Sequence, residues 1–76
     1  MIKIELLRTI YPSGTRIQLI KMADPPETDP IAPGSKGTID HVDDAGQLQM
    51  RWDSGRSLAL IPCVDQYKVL SYPKKR

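Results

Sequence analysis

The feature that most restricts the possible folds is a strict alternation of apolar and polar residues over residues 47–53. In an extended strand, Leu48, Met50 and Trp52 would point to one side, and the glutamines and the arginine between them would point to the other. Trp52 shares its side with two apolar residues, so it is predicted to lie in the core rather than on a ligand-stacking surface. This segment is therefore predicted to be a half-buried β-strand.

Turns rich in glycine and proline divide the rest of the chain into short extended segments. Residues 43–46 and 53–55 are typical of tight hairpin turns on either side of the central strand. Residues 64–70 are predicted to hold one helical turn and then a closing strand, with Val69 or Leu70 inward. The other predicted strands cover residues 15–22, 34–42, 47–53 and 56–61.

The first ten residues carry two conflicting patterns. Alternate residues from Ile2 to Leu6 are apolar, as in a strand, whereas Ile4, Leu7 and Tyr11 fit the apolar stripe of a helix. The residues around Leu6 are good helix formers, so a short helix is predicted. The proline after Tyr11 would end this helix because it disfavours helical backbone angles at the preceding residue.

These segments follow one another in the order of an SH3-like barrel: a strand, a long irregular loop, two tight hairpins, a helical turn and a last strand. The sequence therefore predicts an all-β fold, a small SH3-like barrel of about five strands with a short N-terminal helix. A barrel would also protect the edges that a small open sheet exposes. Residues 1–73 are expected to form this single domain, and residues 74–76 a basic tail.

The cellular setting is suggested by cysteine use and by the first residues. The chain of 76 residues has one cysteine, Cys63, and so cannot form an internal disulfide, which suits a reducing cytoplasm. Charges at Lys3, Glu5 and Arg8 interrupt the first apolar residues, unlike a signal peptide. No apolar run approaches the roughly 20 residues of a membrane span. A cytoplasmic protein without membrane association is expected.

Charge is distributed unevenly along the chain, which has a net charge of +2. Residues 1–23 carry four cations and one acid, residues 24–65 three cations and eight acids, and residues 66–76 four cations and no acid. A nucleic-acid-binding protein is expected to carry a basic stripe on its folded body. Here the body is slightly acidic and the positive excess lies at the C-terminus, so the composition does not favour nucleic acid.

Few residues are candidates for catalysis or metal binding. His41 and Cys63 are the only histidine and cysteine. No third group that would orient a catalytic Cys–His pair is evident. A structural zinc site needs about four Cys or His ligands, so these two residues are too few. The aspartates within residues 40–53 lack the spacing of a calcium loop, and the glycines within residues 34–37 lack the Walker spacing. The sequence therefore predicts no enzyme, no cofactor and no metal.

Two arginines, Arg51 and Arg56, flank the turn at residues 53–55 and are candidate binding residues. Arg51 should point away from the core, where it can bind a carboxylate or phosphate through two hydrogen bonds. The alternative is a solvated face on which Arg51 or Arg56 pairs with Asp53. Residues 23–33 form a long loop rich in proline and acid, which can present charge to a basic partner. The predicted partner-binding residues are Arg16, Asp24, Glu27, Asp29, Arg51 and Arg56.

Three stretches of the chain resemble one family: YPSGTRIQLIKM at residues 11–22, PGSKGTIDHVDDAGQLQMRWDSGRSLALIP at 33–62 and VDQYKVL at 64–70. They are similar to the small bacterial and bacteriophage domain called domain-of-unknown-function family 4314. The resemblance implies an SH3-like barrel with a short leading helix, usually encoded by phages, prophages and mobile elements, and it implies no activity. The family pattern has a glycine after SLALIP, where this chain has Cys63.

The leading functional hypothesis is a non-catalytic binding module, encoded by a phage or mobile element, that modulates or inhibits a host protein complex such as a defence system by stoichiometric binding. The host cytoplasm is then the expected location. One alternative is a nucleic-acid-binding small barrel that uses Arg16, Arg51, Arg56, Lys68 and the C-terminal tail. Another is a homo-oligomer that encloses a nucleotide signal between its subunits.

Overall fold

The computed structural model describes residues 3–28 and 30–73. These residues form one short helix and four strands, so the predicted small all-β fold with an N-terminal helix is confirmed. Asp29 and the predicted basic tail of residues 74–76 lie outside the described residues. The elements are α1 (Ile4–Ile10), β1 (Arg16–Lys21), β2 (Lys36–Val42), β3 (Leu48–Trp52) and β4 (Gln66–Ser71).

Helix α1 confirms the helical interpretation of the first residues. Leu7 is buried in the core, whereas Leu6 and Ile10 remain exposed. The helix ends at Tyr11, whose N–H donates to the carbonyl of Leu7 at 2.8 Å, and Pro12 follows with no N–H to continue the pattern. Within the described residues, no helix combines the length and the apolar character needed to cross a bilayer.

The four strands form one antiparallel sheet in the order β3-β2-β1-β4. The first and last strands are neighbours, with Ile17 paired to Val69. Val69 packs against the core and Leu70 is 41% exposed, so Val69 is the inward residue of the two considered. Beyond β3, the following segment returns along its free edge through a bridge between Leu48 and Leu60. This order of strands is the one expected for an SH3-like domain.

A single hydrophobic core lies against the inner side of the sheet. Leu48, Met50 and Trp52 are each at most 3% exposed, which confirms the prediction made from their alternation. Ile31 also joins this core, so an apolar side chain anchors the far end of the long loop. The buried hydrophobic residues are Leu7, Ile17, Leu19, Met22, Ile31, Ile39, Val42, Leu48, Met50, Trp52 and Leu60.

The strand predicted over residues 56–61 is reduced to the single bridge at Leu60. The carbonyl of Leu58 accepts the Nε1–H of Trp52 at 2.8 Å and, among the described residues, makes no backbone hydrogen bond to β3. The backbone at this point is directed at a side chain rather than at the neighbouring strand. Backbone hydrogen bonds to β3 remain at two places: the N–H of Trp52 donates to the carbonyl of Arg56 at 2.9 Å, and Leu48 and Leu60 exchange bonds of 2.8 and 3.0 Å. The sheet thus has four strands and a bridge.

Asp65 attaches the start of the 23–33 loop to the turn before β4. Its Oδ1 accepts a hydrogen bond from the N–H of Ala23 at 2.9 Å, and its Oδ2 accepts one from the N–H of Ile61 at 2.8 Å. The carboxylate thereby satisfies two backbone donors that lie outside any strand. Together with the buried Ile31, this contact fixes the loop near both of its ends.

Candidate binding surface

Strand register gathers charged residues on the solvent side of the sheet. Arg51 on β3, Thr38 on β2 and Arg16 on β1 are paired neighbours and form one row across three strands. In the next row, Lys36 and Lys68 flank the glutamine of β1. These side chains alternate with the buried residues of the same strands. We call this surface the outer sheet face; it comprises Arg16, Gln18, Lys36, Thr38, Asp40, Arg51, Asp53 and Lys68.

Asp53 fixes the guanidinium of Arg16 on this face. Nη1 and Nη2 of Arg16 donate to the two carboxylate oxygens at 2.7 Å each, and Nη1 also donates to Oγ1 of Thr38 at 2.9 Å. The hydrogen bonds from Arg16 hold the pKa of Asp53 below its usual value, and the nearby charge of Lys36 adds to the effect. This long-range ion pair takes the place of the pairing with Arg51 considered from the sequence.

Arg51 is the exposed cation of the first row. It points away from the core, as predicted, and its side chain makes no hydrogen bond or ion pair with another described residue. Its guanidinium therefore offers five N–H donors to solvent or to a ligand. The outer sheet face carries four cations and two carboxylates, one of which is bound by Arg16. This face is net positive.

Arg56 lies in a different environment from Arg51, although both flank the same turn. Its side chain is half-buried and lines a groove of about 310 Å³ between the 53–55 turn and the end of the 23–33 loop. The structure thus brings Arg56 together with this loop, while Arg51 belongs to the outer sheet face. The groove is lined by Pro30, Ile31, Ala32, Ser35, Ser54 and Arg56.

Asp24 of the loop lies at a groove that shares no residue with the outer sheet face. Asp24 and Glu27 are exposed, and Asp24 lines this groove of about 270 Å³ together with Leu58 and Asp65. Asp29 lies outside the described residues. The predicted partner-binding residues therefore divide among three places: the outer sheet face, the groove of Arg56 and the loop.

His41 and Cys63 belong to different parts of the surface. Nδ1 of His41 lies 3.4 Å from Oδ2 of Asp40. Cys63 is exposed and lines an apolar groove of about 550 Å³ between α1 and the turns at residues 43–46 and 61–63, and His41 does not line this groove. Cys63 also has a φ of 67°, in the left-handed region that favours glycine. The positive φ of this position explains why a glycine is expected here from the family resemblance.

Asp43 closes the turn between β2 and β3. Its Oδ1 accepts hydrogen bonds from the N–H groups of Ala45 and Gln47, and its Oδ2 accepts one from Nε2 of Gln49 at 2.8 Å. The bond from Gln47 and then the bond from Gln49 lower the pKa of this carboxyl. Among the described residues, no three His, Cys, Asp or Glu side chains are grouped as ligands for a metal ion. The contacts of Asp43 therefore stabilise the turn.

Lys36 and Thr38 are members of the surface that the sequence did not predict. Charge was counted along the chain, where Lys36 stands among eight acids, and such a count cannot show which face of a sheet each residue occupies. A usable signal was present in GSKGTIDHV, because Lys36, Thr38 and Asp40 alternate with the glycine and isoleucine of the buried side.

The strand order, the short helix and the outer sheet face define a small all-β domain of the SH3-like class with a net positive sheet surface. A family model described as Domain of unknown function (DUF4314) matches residues 2–70, and the chain belongs to that family. No curated protein and no solved structure matches the chain.

Proposed function

We propose that this chain is a non-catalytic module that binds a protein partner through the outer sheet face. The observation that carries the proposal is the exposed Arg51 beside an Arg16 that is held in place by Asp53 and Thr38. Strands fix the backbone positions of these cations, and Asp53 and Thr38 already order the side chain of Arg16, so this side chain loses little freedom when a partner binds. Such a surface is suited to recognising a complementary charged surface.

The chemistry of these side chains supports binding rather than proton transfer. Arginine and lysine side chains ordinarily stay protonated near neutral pH and act as hydrogen-bond donors. Arg16 lowers the pKa of Asp53, so this carboxylate also keeps its charge near pH 7. A general acid or base works best with a pKa near the operating pH, and these groups do not provide one.

The family context supports a more specific version of this proposal. We propose that a phage or mobile element encodes the module, and that it modulates or inhibits a host protein complex, such as a defence system, by one-to-one binding in the host cytoplasm. The groove of Arg56 would extend the contact beyond the outer sheet face. The acidic loop residues Asp24, Glu27 and Asp29 would meet a basic part of the same complex.

Reconstitution of a captured partner tests the proposal. The tagged chain is used to enrich proteins from lysate of the bacterium that carries it, and each enriched protein is purified and mixed with the chain at increasing ratios. Size-exclusion chromatography with light scattering is expected to show a complex that saturates at a fixed stoichiometry. The proposal is wrong if repeated captures yield no protein that forms a saturable complex.

Nucleic-acid binding is a second candidate, and the outer sheet face is the observation that favours it. Arg16, Lys36, Arg51 and Lys68 lie on one side of the sheet, which is the kind of basic surface that the charge count along the chain did not reveal. Binding through this face would weaken steeply with added salt, because each phosphate contact releases counterions. Mobility shifts at several salt concentrations measure this directly, and binding independent of salt would exclude this candidate.

A further inference from the structure

The structure points to an acidic polypeptide segment as the ligand of the outer sheet face, with Arg51 as its anchor, and we propose this as the partner's chemistry. The inference rests on the proposed function and names the kind of segment that the partner would supply. It is drawn from the spacing of the cations, the hydrogen bonds already present on the face, and the side chains that the face lacks.

The hydrogen bonds around Thr38 leave a donor beside Arg51. Oγ1 of Thr38 accepts from Nη1 of Arg16 at 2.9 Å, so its own hydrogen is free to point toward a ligand. Thr38 and Arg51 are paired neighbours, about 5 Å apart across the strands. A carboxylate placed here can accept two hydrogen bonds from Arg51 and one from Thr38.

A second carboxylate position follows from the strand spacing. Lys36 precedes Thr38 by two residues on β2, so the two rows of the face are about 6.8 Å apart. Alternate side chains of an extended peptide repeat at this same distance. A segment with two acids separated by one residue can therefore place one carboxylate on the row of Arg51 and the other on the row of Lys36.

Asp53 shows that an arginine of this face binds a carboxylate. Its carboxylate is bound by Arg16 through two parallel hydrogen bonds of 2.7 Å, a geometry typical of arginine and carboxylate. The guanidinium of Arg16 is already paired with Asp53. The exposed cations that can still bind a partner are therefore Arg51, Lys68 and Lys36, the last of which lies beside Asp53. A partner would thus be bound by separate cations rather than by a continuous basic groove.

The side chains of the face favour a polypeptide over a nucleic acid. Single-stranded nucleic acids are usually held by exposed aromatic rings on which bases stack. Here Trp52 is 3% exposed, and Tyr67 packs inward against Tyr11 with ring centroids 6.0 Å apart. The remaining aromatic residue, Tyr72, is 59% exposed but lies beyond the end of β4 as a single ring. Asp40 and Asp53 would also oppose an unbroken line of phosphates, whereas a peptide needs acids only at the two positions that face Arg51 and Lys36.

A matched pair of synthetic peptides tests the inference. One peptide has two glutamates separated by one residue in an otherwise serine segment, and the other has glutamine at those two positions. Binding to the ¹⁵N-labelled chain is followed by amide chemical shifts at low and at physiological salt. The glutamate peptide is expected to move the amides of Lys36, Thr38 and Arg51 and to bind more weakly at higher salt, whereas the glutamine peptide is expected to move none.

Two variants of equal charge separate specific binding from net attraction. Arg51→Gln removes the proposed anchor, and Lys3→Gln removes an exposed cation near α1, away from the outer sheet face. We expect at least a fivefold loss of affinity for the glutamate peptide with Arg51→Gln and no change with Lys3→Gln. Equal losses in the two variants, or amide shifts confined to other surfaces, would overturn the inference.

A single-stranded deoxythymidine oligonucleotide provides the competing outcome. If it displaces the glutamate peptide and binds the same amides more tightly, the assignment to an acidic polypeptide is wrong and the face is a nucleic-acid surface. The inference can also fail while the proposed function stands. A reconstituted partner that binds the Arg51→Gln variant as tightly as the native chain would retain the binding module and overturn the proposed ligand.

Discussion

Trp52 shows how one residue can serve both the core and a loop. Its ring is buried at the inner side of the sheet, and its Nε1–H holds the carbonyl of Leu58 in the segment after the hairpin. A phenylalanine at this position would keep most of the apolar contact but would leave that carbonyl without its donor. Such a loss, together with the smaller ring, usually costs about 1–3 kcal/mol.

We therefore expect Trp52→Phe to lower the free energy of unfolding by about 1–3 kcal/mol, measured by urea denaturation. Tyr72→Phe is the control, because Tyr72 is 59% exposed and its change should leave stability within the error of the measurement. An unchanged stability of Trp52→Phe would contradict the role assigned to the indole N–H.

Cys63 carries a backbone conformation that its side chain disfavours. Its φ of 67° lies in the left-handed region, where a Cβ atom costs roughly 1–2 kcal/mol and glycine does not pay this steric penalty. Glycine loses more chain entropy on folding, which offsets part of the gain. We expect Cys63→Gly to raise the free energy of unfolding by about 0.5–1 kcal/mol.

The control for this substitution is Cys63→Ala, which removes the thiol and keeps the Cβ atom. Its stability in urea should stay close to that of the native chain. If the glycine variant unfolds at a lower urea concentration than the alanine variant, the backbone explanation for the glycine of the family pattern is wrong.

At the scale of elements, two aspartates connect the strands through their ionised forms. Asp43 closes the turn between β2 and β3, and Asp53 joins the end of β3 to Arg16 on β1. The hydrogen bonds of each lower its pKa in the folded chain. The unfolded chain therefore binds protons more readily, so this stabilisation is complete above the unfolded pKa of about 3.9 and is lost as the pH falls through the lower folded values.

We expect the urea midpoint to fall when the pH is lowered from about 5 to about 2, and to fall less in the double variant Asp43→Asn with Asp53→Asn. Asp24→Asn is the control, since Asp24 is an exposed loop residue that makes no comparable contact with the strands. Identical acid dependence in the native chain and the double variant would show that these two carboxylates do not couple the elements.

The sequence predicts the elements well where the pattern is local. The alternation of residues 47–53 correctly places Trp52 in the core, and the turns on either side locate the neighbouring strands. The strand predicted over residues 56–61 is reduced to the bridge at Leu60, and the carbonyl of Leu58 accepts the indole N–H of Trp52 instead of a backbone N–H of β3. No periodicity reveals such a bond, so the length of this ladder could not be predicted from the sequence.

At the scale of the whole molecule, the candidate surface depends on contacts between distant parts of the chain. Arg16 and Asp53 are 37 positions apart and meet only because β1 and β3 flank β2. The sequence correctly predicts that Arg51 points outward, since that follows from one strand alone. It could not place Lys36 and Lys68 in one row on either side of Gln18, because the register between strands is set by the folded sheet.

The proposed function depends on the outer sheet face as the surface that binds the partner. The apolar groove beside Cys63 is the alternative binding surface. The two lie on separate parts of the domain, since the groove is formed by α1 and the turns at residues 43–46 and 61–63. Amide chemical shifts of the ¹⁵N-labelled chain, recorded as the reconstituted partner is added, distinguish them directly. We predict changes over the outer sheet face, centred on Arg51 and Thr38; changes centred on the Cys63 groove, with the outer sheet face unaffected, would contradict the account.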